Sequence, residues 1–256
     1  ITFDDMTSEH SFKNVTFLNV LRYIVMVLTI VLQFSFLASD IYTLIQIYVL
    51  GNWANYHSIS YVPILAYKII FTACIGISIM FLIITWWYGT YVYKTNRVVR
   101  SYLDDVAMNL HSLNSFEKFC IYRQISTKSF YDWFVISIYQ SWHFSIYNWL
   151  FADTPRQMLN GATIAYTISN SFTSSNIVHI VKDIANRNSQ EAILLSFMTF
   201  SFFVWVIFTV KYLAVLLSSA CICSSIRKKD GVTFSKFIHK MVADAVLEMY
   251  DEQDKK

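Results

Sequence analysis

Five amide and hydroxyl side chains recur along one face of a segment in the second half of the chain. Their spacing of 3, 4, 3 and 4 residues places them on a single helical stripe. Polar groups at membrane depth are costly unless they meet water or partners. Such a stripe either lines a hydrated path, where oxygen dipoles replace part of an ion's water shell, or joins helices through hydrogen bonds. The stripe consists of Asn160, Thr163, Thr167, Asn170 and Ser174.

Two charged residues lie inside the long apolar runs that precede the stripe. Asp40 lies toward the end of the first run and Lys68 shortly after the start of the second. Because adjacent antiparallel helices would bring them to a similar depth, an Asp40–Lys68 ion pair is one prediction. Two other interpretations are open. Lys68 could extend to the membrane surface, and an unpaired Asp40 would offer a carboxylate to a cation at an outer mouth.

The elements that must position these groups are membrane helices. The chain has 256 residues, of which 55% are hydrophobic and 14% are charged, whereas soluble domains carry about 25% charge. Apolar runs at 20–50, 64–88 and 192–210 reach the length of roughly 20 residues that crosses a bilayer. The prediction is an all-α membrane protein with a single membrane domain.

The basic residues set the predicted orientation. They cluster in a loop after the second run and in the segment after the last one, and the positive-inside rule assigns both to the cytoplasm. We therefore expect a cytoplasmic helical loop at 94–129, a cytoplasmic tail at 224–256 and both termini in the cytoplasm. The loop at 51–63 lacks Lys, Arg, Asp and Glu and would lie outside. Membrane lipids are the expected surroundings, and no nucleic-acid partner is expected.

The middle of the chain admits two topologies, because the crossings between two cytoplasmic segments must be even in number. We favour a span at 155–183, opened by a Thr154 N-cap with Pro155 at the first helical position. That choice leaves Arg156 on the cytoplasmic side and makes 130–151 an interfacial helix. The alternative makes 130–151 the span and folds the polar helix back. The favoured membrane helices are 20–50, 62–93, 155–183 and 191–222.

Apolar residues at helical spacing follow the second run and predict that its helix continues into the cytoplasm as an amphipathic rod. They are Val99, Leu103, Val106, Leu110 and Leu113. The chain shows no arrangement typical of a catalytic site, a metal site or a phosphate-binding loop. We therefore expect neither an enzyme nor a bound cofactor.

Three stretches resemble the fungal low-affinity potassium channel family (KCH): residues 38–43 (ASDIYT), 96–102 (NRVVRSY) and 153–161 (DTPRQMLNG). The resemblance implies a plasma-membrane potassium conductance, with K⁺ as the permeant ion. The chain lacks the T-V-G-Y-G filter of other potassium channels, so selectivity would need a different architecture.

Two functional hypotheses follow. The first is a passive potassium channel, in which the stripe lines the path and Asp40 lies near its outer mouth. One protomer has too few helices to enclose a wide aqueous path, so a homo-oligomer is expected, with a homodimer as the default. The second is a non-conducting membrane adaptor that regulates another ion transporter through its basic cytoplasmic surfaces.

Overall fold

A computed structural model of the chain describes residues 1–9, 12, 14–49, 64–125, 130–170 and 189–254. These residues form helices and no strand beyond an isolated antiparallel bridge between Thr2 and Arg97. The prediction of an all-α fold is confirmed. The helices are α1 Phe3–Glu9, α2 Phe17–Val49, α3 Ile64–Lys94, α4 Val98–Tyr102, α5 Asp105–Asn114, α6 Phe116–Gln124, α7 Phe130–His143, α8 Ser145–Asn148, α9 Thr154–Asn170, α10 Ser189–Asp230 and α11 Phe234–Asp254, with a π-helical segment, Trp149–Asp153, between α8 and α9.

Three helices in the described residues are long and apolar enough to cross a membrane. Their candidate spans are Phe17–Ile45, Leu65–Lys94 and Leu195–Lys228, which lie on α2, α3 and α10 where the sequence predicts 20–50, 62–93 and 191–222. Many of their large apolar side chains point outward, among them Ile83 and Leu217. An apolar surface of this extent requires lipid rather than water around it. The chain is therefore a multi-pass membrane protein.

The chain divides into two compact units. The first comprises Ile1–Val31, Leu82–Ile146 and Tyr212–Lys256, and the second comprises Leu32–Phe81 and Tyr147–Lys211. The core of the first unit is built on α11, which is apolar on one face at helical spacing. Fully buried side chains on that face of α11 and on α7 pack into this core: Ile238, Val242, Val246, Val135 and Ile136.

The N-terminal segment is part of the core of the first unit. Phe3, Met6 and Phe12 are buried, although each is isolated among polar residues in the sequence. The Phe3 amide donates a hydrogen bond of 3.1 Å to the Asn96 carbonyl, and the Asn96 amide nitrogen donates one of 2.7 Å to Asp4. We name residues 1–9 the N-terminal clip, because Phe3 and Asp4 in it hold the turn that follows α3.

That turn corrects the prediction of a continuous rod from the second run to Leu113. Helix α3 ends at Lys94, and Asn96 adopts a left-handed conformation with φ of 52°, which a right-handed helix cannot contain. A new helix, α5, begins where the Asp104 side chain accepts a 2.8 Å hydrogen bond from the Ala107 amide. Of the residues on the predicted apolar face, Val99 and Leu103 pack in the core of the first unit, whereas Leu113 is 46% exposed.

The sequence analysis placed a break between an interfacial helix that ends at 151 and a span that begins at 155. The structure corrects this, because the path from Ser145 to Asn170 is helical throughout. Thr154 is not an N-cap, since α8, the π segment and α9 follow one another without a break. The Thr154 amide and hydroxyl both donate to the Trp149 carbonyl, the hydroxyl at 2.7 Å. Pro155 has no amide hydrogen and its ring crowds the preceding turn. The wider π turn before it lets the helix continue.

Gly89 marks a close approach between α3 and the start of α5. A β-carbon at Gly89 would lie 2.5 Å from the Val106 β-carbon, whereas one at Gly76 would meet nothing within 4 Å. We predict that Gly89→Ala lowers the free energy of unfolding by about 1–3 kcal/mol through overpacking. The matched control, Gly76→Ala, should change it by no more than about 1 kcal/mol. Denaturant unfolding in micelles measures both, and equal effects would contradict the close packing.

His111 is buried beneath the N-terminal clip. Its ring centroid lies 4.5 Å from that of Phe3 and 4.4 Å from that of Tyr93. Burial lowers the pKa of His111 from its ordinary value of 6.5 to about 4, and the nearby Lys118 charge lowers it further in the same direction. The folded protein therefore keeps this imidazole neutral at pH values where the unfolded chain protonates it.

We predict that acid loosens the clip. Stability is greatest above pH 6.5, where both states are neutral, and falls by up to about 3 kcal/mol as pH drops from 6.5 to 4. Amide exchange at Phe3, corrected for its intrinsic pH dependence, should be faster at pH 5 than at pH 7. His111→Phe should abolish that difference. The same pH response in both proteins would show that another group is responsible.

Candidate functional site

The segment from Asn148 to Ile164 packs along three apolar helices in the second unit. The Ser78 hydroxyl of α3 donates a 3.2 Å hydrogen bond to the Asn148 side chain. Further along the segment, Ile164 joins an apolar cluster that contains Phe71 and Tyr67 of the same helix. As residue numbers rise along the segment, the residue numbers of its partners on α3 therefore fall. The segment therefore runs antiparallel to α3, at the depth of its apolar residues.

Contacts with α10 give the same direction. The Trp149 indole nitrogen donates to the Thr209 hydroxyl at 3.1 Å, and the Gln157 side chain donates to the Ser201 hydroxyl at 2.6 Å. One turn further on, a β-carbon at Gly161 would lie 2.6 Å from the Phe202 ring. The segment from Asn148 to Ile164 and α10 are therefore antiparallel and closely packed.

A guanidinium between two carboxylates is the main charged feature of this unit. Arg156 forms an ion pair with Asp40 of α2 and a second with Asp153, its Nη2 lying 3.0 Å from the Asp153 Oδ1. The other Asp153 oxygen accepts a 3.1 Å hydrogen bond from the Asn148 amide nitrogen. We name Asp40, Asp153 and Arg156 the charge cluster. With all three ionised, it carries one net negative charge.

The charge cluster corrects two sequence-based expectations. Arg156 was assigned to the cytoplasmic side and Asp40 to the outer end of its helix, and the ion pair between them contradicts that combination. The partner expected for Asp40 was Lys68, and the structure places Arg156 there instead. The Lys68 ammonium lies 5.3 Å from the centre of the Tyr48 ring, a cation–π geometry. The error followed from treating Pro155 as the first turn of a separate helix, whereas the helical path begins at Ser145.

Next to the charge cluster on α9, two hydrogen bonds link Asn160, Gln157 and Ser201 in a short relay. Asn160 donates from its amide nitrogen to the Gln157 Oε1 at 3.1 Å, and Gln157 in turn donates to Ser201. Asn160 and Gln157 are 3% and 2% exposed. The relay fixes both amides and shows that part of the polar face joins α9 to α10, which is the helix-joining interpretation of the stripe.

The polar side chains in the first part of α9 are turned into the protein, together with Leu159 and Ile164, which pack against the apolar cluster. Arg156, Asn160 and Thr163 are buried, whereas Met158 is 63% exposed. A water-soluble helix shows the opposite arrangement, with its polar face outside. Buried polar residues at membrane depth either bind one another or serve a hydrated path.

The structure brings some of the predicted site residues together. Asp40 pairs with Arg156, which lies one turn before Asn160 on α9, and the Thr163 hydroxyl donates a 2.8 Å hydrogen bond to the Leu159 carbonyl. Thr167 and Asn170 are on α9, but their side chains, like Ser174, lie outside what the structure describes. The sequence reasoning missed Asp153, Arg156 and Gln157 as site residues, although the i, i+3 spacing of an acid and a base was a visible signal.

The described part of the chain contains no group of three or more His, Cys, Asp or Glu side chains arranged to hold a metal ion. Its four cysteines are free thiols. The polar groups of α9 are instead neutral amides and hydroxyls beside one charge cluster. This set can orient water and offer oxygen dipoles to a monovalent cation.

Residues 2–245 match the family described as fungal potassium channel. The chain belongs to this family. The resemblance inferred from three short stretches is thereby confirmed. No solved structure matches the chain.

Two curated relatives come from Saccharomyces cerevisiae. Low affinity K(+) transporter 1 is 32% identical over 268 residues, which cover 100% of this chain and 53% of the relative. Pheromone-regulated membrane protein 6 is 29% identical over 197 residues, which cover 69% of this chain and 55% of the relative. The chain thus spans about half the length of the curated relatives it matches.

The charge cluster predicts a large effect of removing its cation. Arg156→Gln leaves Asp40 and Asp153 close together without a counter-charge, which should lower the free energy of unfolding by about 3–5 kcal/mol. Adding Asp40→Asn should lose less than the sum of the two single changes, because the residues interact directly. Unfolding in micelles measures all three variants.

Lys68→Gln is the matched control, since it removes a cation from the same unit that has no carboxylate partner in the described residues. It should cost no more than about 1 kcal/mol. If Lys68→Gln proves as damaging as Arg156→Gln, the pairing of Asp40 with Arg156 is wrong.

Proposed function

We propose that this chain conducts potassium ions passively across the fungal plasma membrane as a homo-oligomer. The observation that carries the proposal is the inward-facing polar side of α9, packed among three apolar helices in a member of the fungal potassium channel family. The low-affinity K(+) transporter among its relatives supports potassium as the ion. No catalytic role enters the proposal.

The proposed topology has four membrane helices in each protomer: α2, α3, α10 and the segment that includes α9. The fourth is supported by the contacts of α9 along the lengths of α3 and α10, at membrane depth. Both termini are assigned to the cytoplasm, because the basic residues cluster in the segments that follow α3 and end α10.

The electrostatics of the second unit suit a cation. With Asp40, Asp153 and Arg156 all ionised, the charge cluster adds one net negative charge beside the helix face that would carry ions, which raises the local cation concentration. The polar side chains beyond it are neutral oxygen and amide groups, which replace water without holding the ion too tightly to leave. A homo-oligomer is included because one bundle of four helices leaves little room for a wide path.

The test is ion flux through liposomes that contain the purified chain, under a K⁺ gradient and then a Na⁺ gradient, compared with empty vesicles. We expect K⁺-preferring flux. Changing Asn160, Thr163, Thr167, Asn170 and Ser174 to Ala or Val should reduce it by about tenfold or more, since each 1.4 kcal/mol added to the barrier costs a factor of ten.

Met158→Leu is the control on the outward face of the same helix and should conduct like the wild type. Unchanged conductance after all five substitutions in a folded protein would contradict the assigned path. Absence of flux from folded, inserted wild-type protein at every voltage tested would favour the adaptor hypothesis.

A further inference from the structure

One acceptor atom in the interior of the second unit is left without a hydrogen-bond donor. The Asn160 Oδ1 is inaccessible to solvent and has no hydrogen-bond partner within the described residues. Burying such an oxygen unpaired costs about 1–3 kcal/mol, so it requires a physical explanation.

The relay explains why this atom is an oxygen. The Asn160 amide nitrogen is held by Gln157, whose own amide nitrogen is held by Ser201. With both nitrogens engaged, the Asn160 carbonyl oxygen is the atom left over. The relay therefore presents a negative dipole to the interior and keeps the two amide donors away from it.

The surroundings of this oxygen favour a cation. Arg156 lies one turn earlier on the same face of α9, but its charge is offset by both Asp40 and Asp153. Thr163, a neutral hydroxyl, lies one turn later on the same face of α9 and is also buried. With Asp40, Asp153 and Arg156 all ionised, the charge cluster one turn earlier carries one net negative charge.

We propose that Asn160 Oδ1 is a ligand for a monovalent cation of the K⁺ class, which exchanges part of its water shell for this carbonyl oxygen and the hydroxyl group of Thr163. Neutral oxygen dipoles suit a large, weakly hydrated monovalent ion, whereas sites for divalent cations usually include carboxylates. The inference rests on the proposed function and names one binding position within it.

The experiment measures thermal unfolding of the full purified chain in micelles, in chloride salts of K⁺, Rb⁺, Na⁺ and N-methylglucamine at equal ionic strength. A ligand that binds the folded state raises its melting temperature. We expect K⁺ and Rb⁺ to raise it by about 2–4 °C over N-methylglucamine, and Na⁺ to raise it less.

Asn160→Leu should lose the K⁺-dependent rise, because it removes the unpaired oxygen. It also removes the donor to the Gln157 Oε1, so its melting temperature should be lower in every salt, and only the difference between salts is compared. Thr199→Val is the control. It removes a hydroxyl of α10 that donates to its own helix at the Leu195 carbonyl, and it should keep the full rise. If Asn160→Leu does not fold, Thr163→Val takes its place and should reduce the rise by at least half.

A K⁺-dependent rise that survives intact in Asn160→Leu would overturn the proposal. So would equal melting temperatures of the wild type in all four salts, since a buried water would then satisfy the oxygen. Liposome flux tests the proposed function separately from the binding position. Flux without K⁺-specific stabilisation refutes the binding position alone, and K⁺-specific stabilisation without flux supports the position and refutes conduction.

Discussion

The ion pair between Arg156 and Asp40 is the interaction on which the arrangement of the second unit depends. Removing two charges from water costs several kcal/mol for each ion, and their attraction offsets this only when the geometry is good. A one-residue rotation of α9 would separate Arg156 from Asp40 and leave the Asp40 carboxylate buried without its cation, although Arg156 would keep Asp153. The pair therefore fixes the register of α9 against α2. It also directs Asn160 and Thr163, one and two turns further on, into the interior.

The segment before α9 makes this position possible. The π turn at Trp149–Asp153 lets a helix pass Pro155 without ending, and it places Asp153 so that the carboxylate can reach both Asn148 and Arg156. Polar bonds to Ser78 and Thr209 hold the same segment against two further helices. A polar segment too weak to cross a membrane on hydropathy alone can thus be held among apolar helices by specific partners.

The second unit buries more polar groups than apolar helix packing requires, and only some of them are explained by helix joining. Ordinary helix joining explains the relay through Gln157 to Ser201, and it explains the bond from Trp149 to Thr209. It does not explain the unpaired Asn160 oxygen, which lowers stability where it lies. Under the proposed function, passive conduction of a cation would give this oxygen a use, because an ion or its water requires acceptor oxygens that no protein donor already occupies.

The sequence predicted the parts of this fold that follow from long patterns. Apolar length located α2, α3 and α10, and a helical period located Asn160 and Thr163 on one face. The partner of Asp40 could not be predicted, because the depth of residue 156 depends on where its helix enters the bilayer. A Thr–Pro pair is typical of a helix start, and the same pair follows the π turn here, so the sequence alone could not distinguish the two. Phe3, Met6 and Phe12 are separated by polar residues and form no apolar run, so the sequence pattern did not predict their burial.

Directed cross-linking tests the central claim, that α9 lies inside the bundle with Arg156 at the depth of Asp40. Single cysteines would replace Gln157 and Ser201 in a chain whose four native cysteines are changed to Ser, and a short bifunctional thiol reagent would be added to intact membranes. A second chain would pair Gln157 with Ser219, which lies roughly 27 Å further along α10 at 1.5 Å per residue. The account predicts cross-linking at 157–201 and none at 157–219. A cross-link at 157–219 without one at 157–201 would place Arg156 at the cytoplasmic surface and contradict it.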